Sequence, residues 1–221
     1  RKYPSILLIL LLAISSCFLT GCVNQHPKDS KKSSQGESVE TMLEITDPKE
    51  KQAVLNAKAK VKALSGNPRI VATSPAVADI CDKLDLDHVG VPKSSVSKIP
   101  SRYKKVKKVG LAMSPDMEIV SSLNPDWILA PSSLETDLKP KFEELKNTEY
   151  AFLNLRSVQG MYRSVQELGE IFGKQQEAEK MTKEFTTFYK SYTKRNKNKK
   201  HPKVLVLMGL PGSYVIATEN S

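Results

Sequence analysis

The sequence predicts an α/β domain in which helices cover a parallel sheet. Short apolar runs alternate with amphipathic stretches from residue 69 onward, and no hairpin turn separates consecutive runs before residue 200. The composition agrees, because 39% of the 221 residues are hydrophobic and 26% are charged, which provides enough apolar material for a core. This length accommodates one or two domains.

The predicted strands and helices follow one another in a regular order. RIVAT, from Arg69, is typical of a buried strand, and the next helix begins with Ser74 as its N-cap and Pro75 at its first position. Later strands are predicted in HVGVP (88–92), KVGLA (108–112), WILAP (127–131) and YAFLNL (150–155), and helices over 115–123, 138–147 and 157–172.

Two further helices flank this region. Residues 46–64 carry a weak apolar stripe, and a longer helix is predicted over 174–194, where apolar and aromatic residues recur every three or four positions. The run VLVLM predicts a strand over 204–208, followed by a Pro-Gly turn and another strand. Because an isolated hairpin is not stable, we expect residues 201–221 to begin a second α/β lobe that is incomplete here.

The N-terminus has the pattern of a secretion signal. Arg1 and Lys2 precede the apolar run ILLILLLAI (6–14), which is too short for a convincing transmembrane helix. The following LTGC (19–22) resembles the lipobox of bacterial lipoproteins, in which the signal is cut before a cysteine that carries diacylglycerol and fatty acyl groups such as palmitate. We therefore expect a signal peptide over 1–21 and lipidation of Cys22, and an ordinary signal peptide is the alternative.

The remaining composition argues against two other classes of protein. The formal net charge is +10, but the lysines are scattered and the densest basic run, residues 194–200, has no aromatic residue, so nucleic-acid binding is not favoured over a solvated basic surface. Cys81 is the single cysteine after Cys22, which excludes a disulfide within the mature domain. Its helical spacing from apolar neighbours predicts a small buried side chain.

Met113 is the candidate functional residue that the residues themselves single out. It follows the apolar run KVGLA and directly precedes Ser114, Pro115 and Asp116, which predict the N-cap, first position and first turn of the next helix. Met113 then lies in a loop at the carboxyl end of a strand, where open α/β sheets place their ligands. A wall residue of a pocket, or ordinary packing, is the alternative.

The stretch VGLAMSPDMEIVSSLNPDWILAP (109–131) resembles the signature of the helix-linked solute-binding lipoproteins that serve ABC importers for siderophores, haem and cobalamin. This resemblance implies two α/β lobes joined by one long helix. The matching positions are Gly110, Pro115, Asp116, Glu118, Pro125 and Asp126. The corresponding segments are a tether with its first helix (22–66), a complete N-terminal lobe (67–173), a linker helix (174–200) and a truncated C-terminal lobe (201–221).

Residues 68–221 are similar to one branch in particular, the haem-binding lipoproteins of the Gram-positive iron-regulated surface determinant system. In that branch a loop methionine and a histidine of the C-terminal lobe are the axial ligands of haem iron, so Met113 is the expected metal ligand. His26, His88 and His201 do not lie at crevice loops, and the partner histidine is expected beyond Ser221. This stretch alone should therefore bind haem weakly.

The resemblance implies further haem contacts around the same crevice. For the first helix start we leave open simple capping or a propionate contact, and for the lysine-serine loop a propionate contact or solvent. Tyr214 is expected to stack on the porphyrin. The expected haem-binding residues are Thr73, Ser74, Pro75, Ala76, Lys93, Ser94, Ser95, Pro131, Ser132, Ser133 and Tyr214.

The function implied is capture of haem for iron acquisition by a monomeric lipoprotein on the outer face of a Gram-positive cell membrane. Its expected partners are haem, the permease subunits, cell-wall haem-relay proteins and, through the lipid anchor, the membrane. Glu118 is the chosen permease contact, with Glu135 and Glu143 as alternatives. A hydroxamate siderophore or cobalamin is the alternative cargo. No catalytic constellation is evident in the sequence, so an enzyme is disfavoured. An adhesin, which would bind no small molecule, is the third and less favoured class.

Overall fold

A five-stranded parallel sheet lies at the centre of the computed structural model, which describes Val39 and residues 43–200, 203–210 and 213–216. The order of its strands is β3-β2-β1-β6-β7, and two short antiparallel hairpins, β4–β5 and β8–β9, are separate from it. The strands in chain order are β1 (Ile70–Ala72), β2 (Gly90–Val91), β3 (Lys107–Lys108), β4 (Gly110–Leu111), β5 (Ser114–Pro115), β6 (Trp127–Pro131), β7 (Glu149–Leu153), β8 (Leu207–Leu210) and β9 (Ser213–Ile216).

Helices cover both faces of the sheet. Short 3₁₀ turns also occur at Ser101–Tyr103 and Ser132–Leu134. The α-helices are α1 (Pro48–Lys62), α2 (Pro75–Lys83), α3 (Met117–Ser122), α4 (Glu135–Glu143), α5 (Val158–Phe172) and α6 (Gln175–Asn196).

Alternating side chains of β1 and β6 enter two different apolar cores. Ile70, Ala72 and Leu129 belong to the core beneath α1, α2, α5 and α6, whereas Val71 and Ile128 belong to the core beneath α3 and α4. This two-residue alternation is what a strand buried on both faces requires. It explains why the strands read as continuous apolar runs in the sequence.

The order in which the chain adds strands to the sheet changes direction between β1 and β6. They pair in parallel from Ile70 opposite Trp127 to Ala72 opposite Leu129. The chain builds outward from β1 to β2 and β3, and then returns to add β6 and β7 on the other side. Because α2 follows β1 on one face and α4 follows β6 on the other, the connections diverge at the carboxyl ends of these strands, which is where open α/β sheets bind their ligands.

A clamp between Arg69 and Asp126 holds this pairing at its lower end. The Arg69 main-chain N–H donates to Asp126 Oδ2 at 2.7 Å, and the Asp126 N–H donates to the Arg69 carbonyl at 2.9 Å. The Arg69 guanidinium also donates to the carbonyl oxygens of Leu123 and Asn124, where α3 ends. One residue pair therefore fixes both the β1–β6 register and the C-terminus of α3.

The helix α1 packs against the same side of the molecule as α5 and contributes Val54 to the core. Lys58 Nζ lies 2.7 Å from Glu170 Oε2, and Lys60 Nζ lies 2.6 Å from Glu149 Oε1. Partial burial, together with the hydrogen bond and charge of Glu50, raises the pKa of Glu167 to about 8. Glu167 therefore holds its proton between α1 and α5 at neutral pH.

Most of the predicted elements agree with the structure. Cys81 is fully buried and burial raises the pKa of its thiol, and Trp127, 4% exposed, lies in the core as expected. The first strand of the last hairpin begins at Leu207, three residues later than the predicted start at residue 204. The apolar side chains of 204–206 are exposed.

Several predictions lie outside the described residues, namely the signal peptide, the lipidation of Cys22 and most of the tether. Among the helices that the structure describes, none combines the length and apolar character needed to cross a membrane.

His88 is a buried histidine between α2 and β2. Its side chain is 8% exposed, its ring centroid lies 4.6 Å from that of Tyr103, and neither ring nitrogen has a hydrogen-bond partner among the described residues. Burial lowers the pKa of His88 to about 4. The native state therefore binds fewer protons than the unfolded state between the ordinary value near 6.5 and this lowered value.

We predict that stability falls as the pH is lowered through this window. The His88 contribution to the free energy of unfolding should decrease by about 2 kcal/mol between pH 7 and pH 5. His88→Phe keeps an aromatic ring beside Tyr103 but cannot bind a proton, so its stability should depend less on pH by that amount. Chemical denaturation of both proteins at the two pH values measures this. An equal pH dependence in the two proteins would contradict the prediction.

Candidate functional site

The carboxyl ends of the parallel strands meet along one edge of the sheet, and most of the predicted site residues lie there. Thr73 follows β1, Lys93 follows β2 by two residues, Met113 lies in the connection after β3, and Pro131 ends β6. Parallel strands bring these connections together although they are far apart in sequence. The edge is therefore the candidate ligand-binding site.

Residues 110–115 form a tight hairpin at this edge. Gly110 pairs with Pro115 and Leu111 pairs with Ser114, which leaves Ala112 and Met113 as the two-residue turn. Gly110 has a φ of 95°, and a Cβ on it would lie 2.8 Å from the Asp116 nitrogen. Only glycine accepts this conformation and this close approach without strain.

Main-chain hydrogen bonds attach the hairpin to the sheet. The Lys93 N–H donates to the Gly110 carbonyl at 2.7 Å, and the Asp116 N–H donates to the Val109 carbonyl at 2.8 Å. Val109 in turn donates to the Val91 carbonyl at 3.0 Å. The turn containing Met113 is consequently held by the ends of β2 and β3 and does not depend on a bound ligand for its position.

The predicted start of helix α3 is wrong by two residues. Asp116, not Ser114, is the N-cap, and its Oδ1 accepts a hydrogen bond from the Ile119 N–H at 3.1 Å. Ser114 and Pro115 instead form β5. The Ser-Pro pair is a genuine helix-start signal, but the left-handed turn at Gly110 directs the chain into strand pairing first.

Met113 is exposed to a degree that is unusual for an apolar side chain. It is 75% exposed, whereas Met117 is partly buried against the core beneath α3, as the sequence predicts. Among the described residues, packing therefore does not explain Met113. Its thioether sulfur is accessible to a ligand at the edge of the sheet.

The first loop is more closed than a ligand-binding loop needs to be. The Thr73 N–H donates to the Leu129 carbonyl at 3.0 Å, and Thr73 is fully buried. Ser74 Oγ accepts from the Val77 N–H at 3.2 Å, so the hydroxyl acts as a helix cap. Pro75 is half-buried and Ala76 is exposed. Of the two interpretations of Ser74, capping is the one that its hydrogen bond supports.

The loop after β2 exposes Lys93 near the hairpin, but its serines face elsewhere. Ser94 Oγ accepts from the Ser97 N–H at 3.0 Å and is used within the loop. Ser94 and Ser95 line a cavity of about 730 Å³ whose wall includes Asp79 and does not include Met113. Because the two serines line this separate cavity and Lys93 does not, Lys93 is the better candidate of the three for a contact beside Met113.

The remaining predicted residues are distributed over three elements. Pro131 and Ser132 are half-buried and Ser133 is exposed at the end of β6. Glu118 is exposed in the first turn of α3. The main chain of Tyr214 pairs with Gly209 in the β8–β9 hairpin, and its proposed ring contact remains a prediction.

The donors available to a metal are few in the part of the chain that the structure describes. It contains no group of three or more histidine, cysteine or acidic side chains that could hold an ion. His88 is buried away from this edge, and His26 and His201 lie outside the described residues. The edge thus offers a single soft, neutral donor, the Met113 sulfur, which suits an iron that is already held by other atoms.

Comparison with known proteins identifies the family to which this chain belongs. A family described as Periplasmic binding protein matches residues 70–221, which is more than half of the sequence, and the chain belongs to this family. The α/β prediction and the resemblance to helix-linked binding proteins are confirmed.

Individual relatives indicate the kind of binding protein more specifically than the family does. The chain is similar to the high-affinity heme uptake system protein IsdE of Staphylococcus aureus (strain Newman), with 39% identity over 158 residues that cover 71% of this chain and 53% of that protein. The solved structure of S. aureus IsdE complexed with heme has a TM-score of 0.64 and 37% identity, covering 71% of this chain and 60% of the other. The chain spans about half the length of the curated relative that it matches.

Two other solved structures share the fold. An ABC transporter substrate-binding protein from Listeria monocytogenes EGD-e has a TM-score of 0.63 and 44% identity, covering 70% of this chain and 59% of the other. The petrobactin-binding protein YclQ from Bacillus subtilis has a TM-score of 0.59 and 24% identity, covering 70% and 56%. The likeness to YclQ shows the fold alone.

We predict that Gly110→Ala weakens the hairpin. Alanine at a positive φ, with its Cβ against main-chain atoms, should lower the free energy of unfolding by about 1–2 kcal/mol. Amide hydrogen exchange at Asp116 and Lys93 should become faster, because both amides close the hairpin.

Gly66→Ala is the matched control, since a Cβ at Gly66 meets no atom within 4 Å. It should leave both the stability and the exchange at Asp116 unchanged. Similar exchange rates in the two variants would show that the conformation of Gly110 does not hold the hairpin.

Proposed function

We propose that the protein is the haem-capturing component of an ABC importer, and that Met113 supplies one axial ligand to the haem iron. The observation that carries the proposal is the exposed thioether on a hairpin fixed at the carboxyl edge of the sheet. The similarity to IsdE, which is a heme uptake protein, supports haem as the cargo. Haem is here the transported ligand and not a resident cofactor.

The chemistry of the edge fits this cargo. Haem iron already has four nitrogen ligands and needs one or two axial donors, and a neutral thioether is a suitable one. The rest of haem is a large apolar plane with two carboxylates. An accessible Met113, with the exposed Lys93 attached to the same hairpin through its main chain, offers a matching apolar and cationic pair.

A second lobe is part of the proposal. We propose that residues 67–173 form the N-terminal lobe, that the helix within 174–200 is the linker, and that residues 201–221 begin a C-terminal lobe which carries a histidine as the second axial ligand. The exposed apolar side chains of 204–207 and of Val215 and Ile216 support this, because a hairpin with such a surface requires cover.

We further propose that the protein acts on the outer face of the cell membrane, anchored through Cys22. Glu118 is the proposed permease contact on the N-terminal lobe, and it is exposed as such a role needs. The transport cycle that we propose consists of binding and release and contains no catalytic step.

We predict that Met113→Ala in the full-length gene product shifts the Soret band of bound haem and speeds haem loss by tenfold or more, because an axial bond is removed. Met113→Leu is the informative comparison, since it preserves the apolar contact but has no sulfur. Both variants should lose the spectral sign of thioether coordination, as measured by absorbance titration with hemin and by transfer of haem to a scavenger.

If Met113→Leu keeps the wild-type spectrum, Met113 is a wall residue and not a ligand. If the wild-type protein ignores hemin but binds a ferric hydroxamate, and Met113→Ala leaves that affinity unchanged, the cargo is a siderophore. Such cargo carries its own iron ligands and requires no axial side chain.

A further inference from the structure

We infer that Leu111 is a second haem-contacting residue, and that it selects for an apolar planar ligand without touching the iron. This inference rests on the proposed haem-binding function. Leu111 lies in β4 of the same hairpin as Met113 and pairs with Ser114, the residue that follows Met113. It was not among the residues that the sequence indicated.

Leu111 is 58% exposed, and its main chain is nevertheless ordered by strand pairing. A leucine on a well-fixed hairpin that packs into no apolar cluster leaves apolar surface in water, and burying that surface is favourable. The same hairpin holds Met113 at 75% exposure. Two large apolar side chains thus lie two residues apart on one short element at the ligand-binding edge.

The position of this pair in a paired hairpin distinguishes it from exposed apolar side chains of the helices and from Val96, which is 94% exposed in the loop after β2. Leu55 lies on α1 and Phe188 on α6, so neither belongs to a loop that follows a strand of the central sheet. Val158 lies at the start of α5, after the edge strand β7 at the far end of the sheet from β3. Leu111 and Met113 alone of these occupy the hairpin fixed by Lys93.

The hairpin holds Leu111 and Met113 in a fixed position, which lowers the entropy cost of binding a ligand. The left-handed Gly110 and the hydrogen bonds from Lys93 and Asp116 fix the hairpin before a ligand binds. A preformed apolar surface loses little conformational entropy on binding. Leu111 therefore contributes apolar contact with the porphyrin plane, whereas Met113 contributes the bond to iron.

The division of roles gives a measurement that separates the two residues. In the full-length gene product, Leu111→Ala should speed haem loss about five- to tenfold, because apolar contact is removed. It should leave the Soret band at the wild-type position, because the axial ligand is intact. Leu111→Ile, which preserves apolar volume and adds no donor to iron, should keep haem loss slow.

Leu55→Ala is the matched control, since Leu55 is 57% exposed on α1 and Leu111 is 58% exposed. It should lose haem at the wild-type rate. Amide exchange at Asp116 in Leu111→Ala should equal that of the wild type, which verifies that the hairpin is intact.

Haem loss from Leu111→Ala at the wild-type rate would overturn the inference while leaving the proposed function in place. A displaced Soret band in Leu111→Ala would also overturn it, because the residue would then act by positioning Met113. Failure of the wild-type protein to bind hemin would instead refute the proposed function itself, so the two failures are distinguishable.

Discussion

The parallel pairing of β1 with β6 is the constraint on which the candidate site depends. These strands come from segments more than fifty residues apart, and the reciprocal main-chain and carboxylate hydrogen bonds between Arg69 and Asp126 set their register. A slip of one residue would exchange the two apolar faces, placing Val71 and Ile128 under the wrong helices. With this register fixed, α2 and α4 leave the sheet on opposite faces, and the loops between them diverge at one edge. The topology of the sheet therefore sets the position of the site, and the side chains of the loops set its chemistry.

Onto this edge the chain adds a small and rigid element. Two ladder pairs and three main-chain hydrogen bonds hold the hairpin from Gly110 to Pro115 between the ends of β2 and β3 and the start of α3. Its turn displays a thioether and its strand displays a leucine, both in water. Thr73, Ser74 and Ser94, in contrast, use their hydroxyl groups in hydrogen bonds to the main chain. The hairpin therefore offers a ligand an apolar side chain, a soft donor and one neighbouring cation. This is the character that a porphyrin with carboxylate substituents complements.

The alternation of apolar runs and amphipathic helices made the α/β class, the buried Trp127 and the buried Cys81 predictable, because burial on two sheet faces leaves a periodic record in the sequence. The helix cap at Ser74 was predictable for the same local reason. The hairpin was not, since Ser114 and Pro115 carry a strong helix-start signal, and the deciding feature is the positive φ of Gly110 together with the close approach of Asp116. Leu111 was missed as well, because an apolar residue in a predicted strand is expected to be buried. Long-range effects such as the Arg69–Asp126 clamp leave no local pattern to read.

Because Met113 is exposed, its sulfur is open to oxidation whenever no ligand covers it. Exposed thioethers are the ones that peroxides oxidise, and a sulfoxide is polar and no longer a soft donor. On the proposed function, a bound ligand would cover the sulfur and draw one of its lone pairs into the bond to iron, so the unloaded protein would be oxidised before the loaded one. Methionine sulfoxide reductases reverse this oxidation.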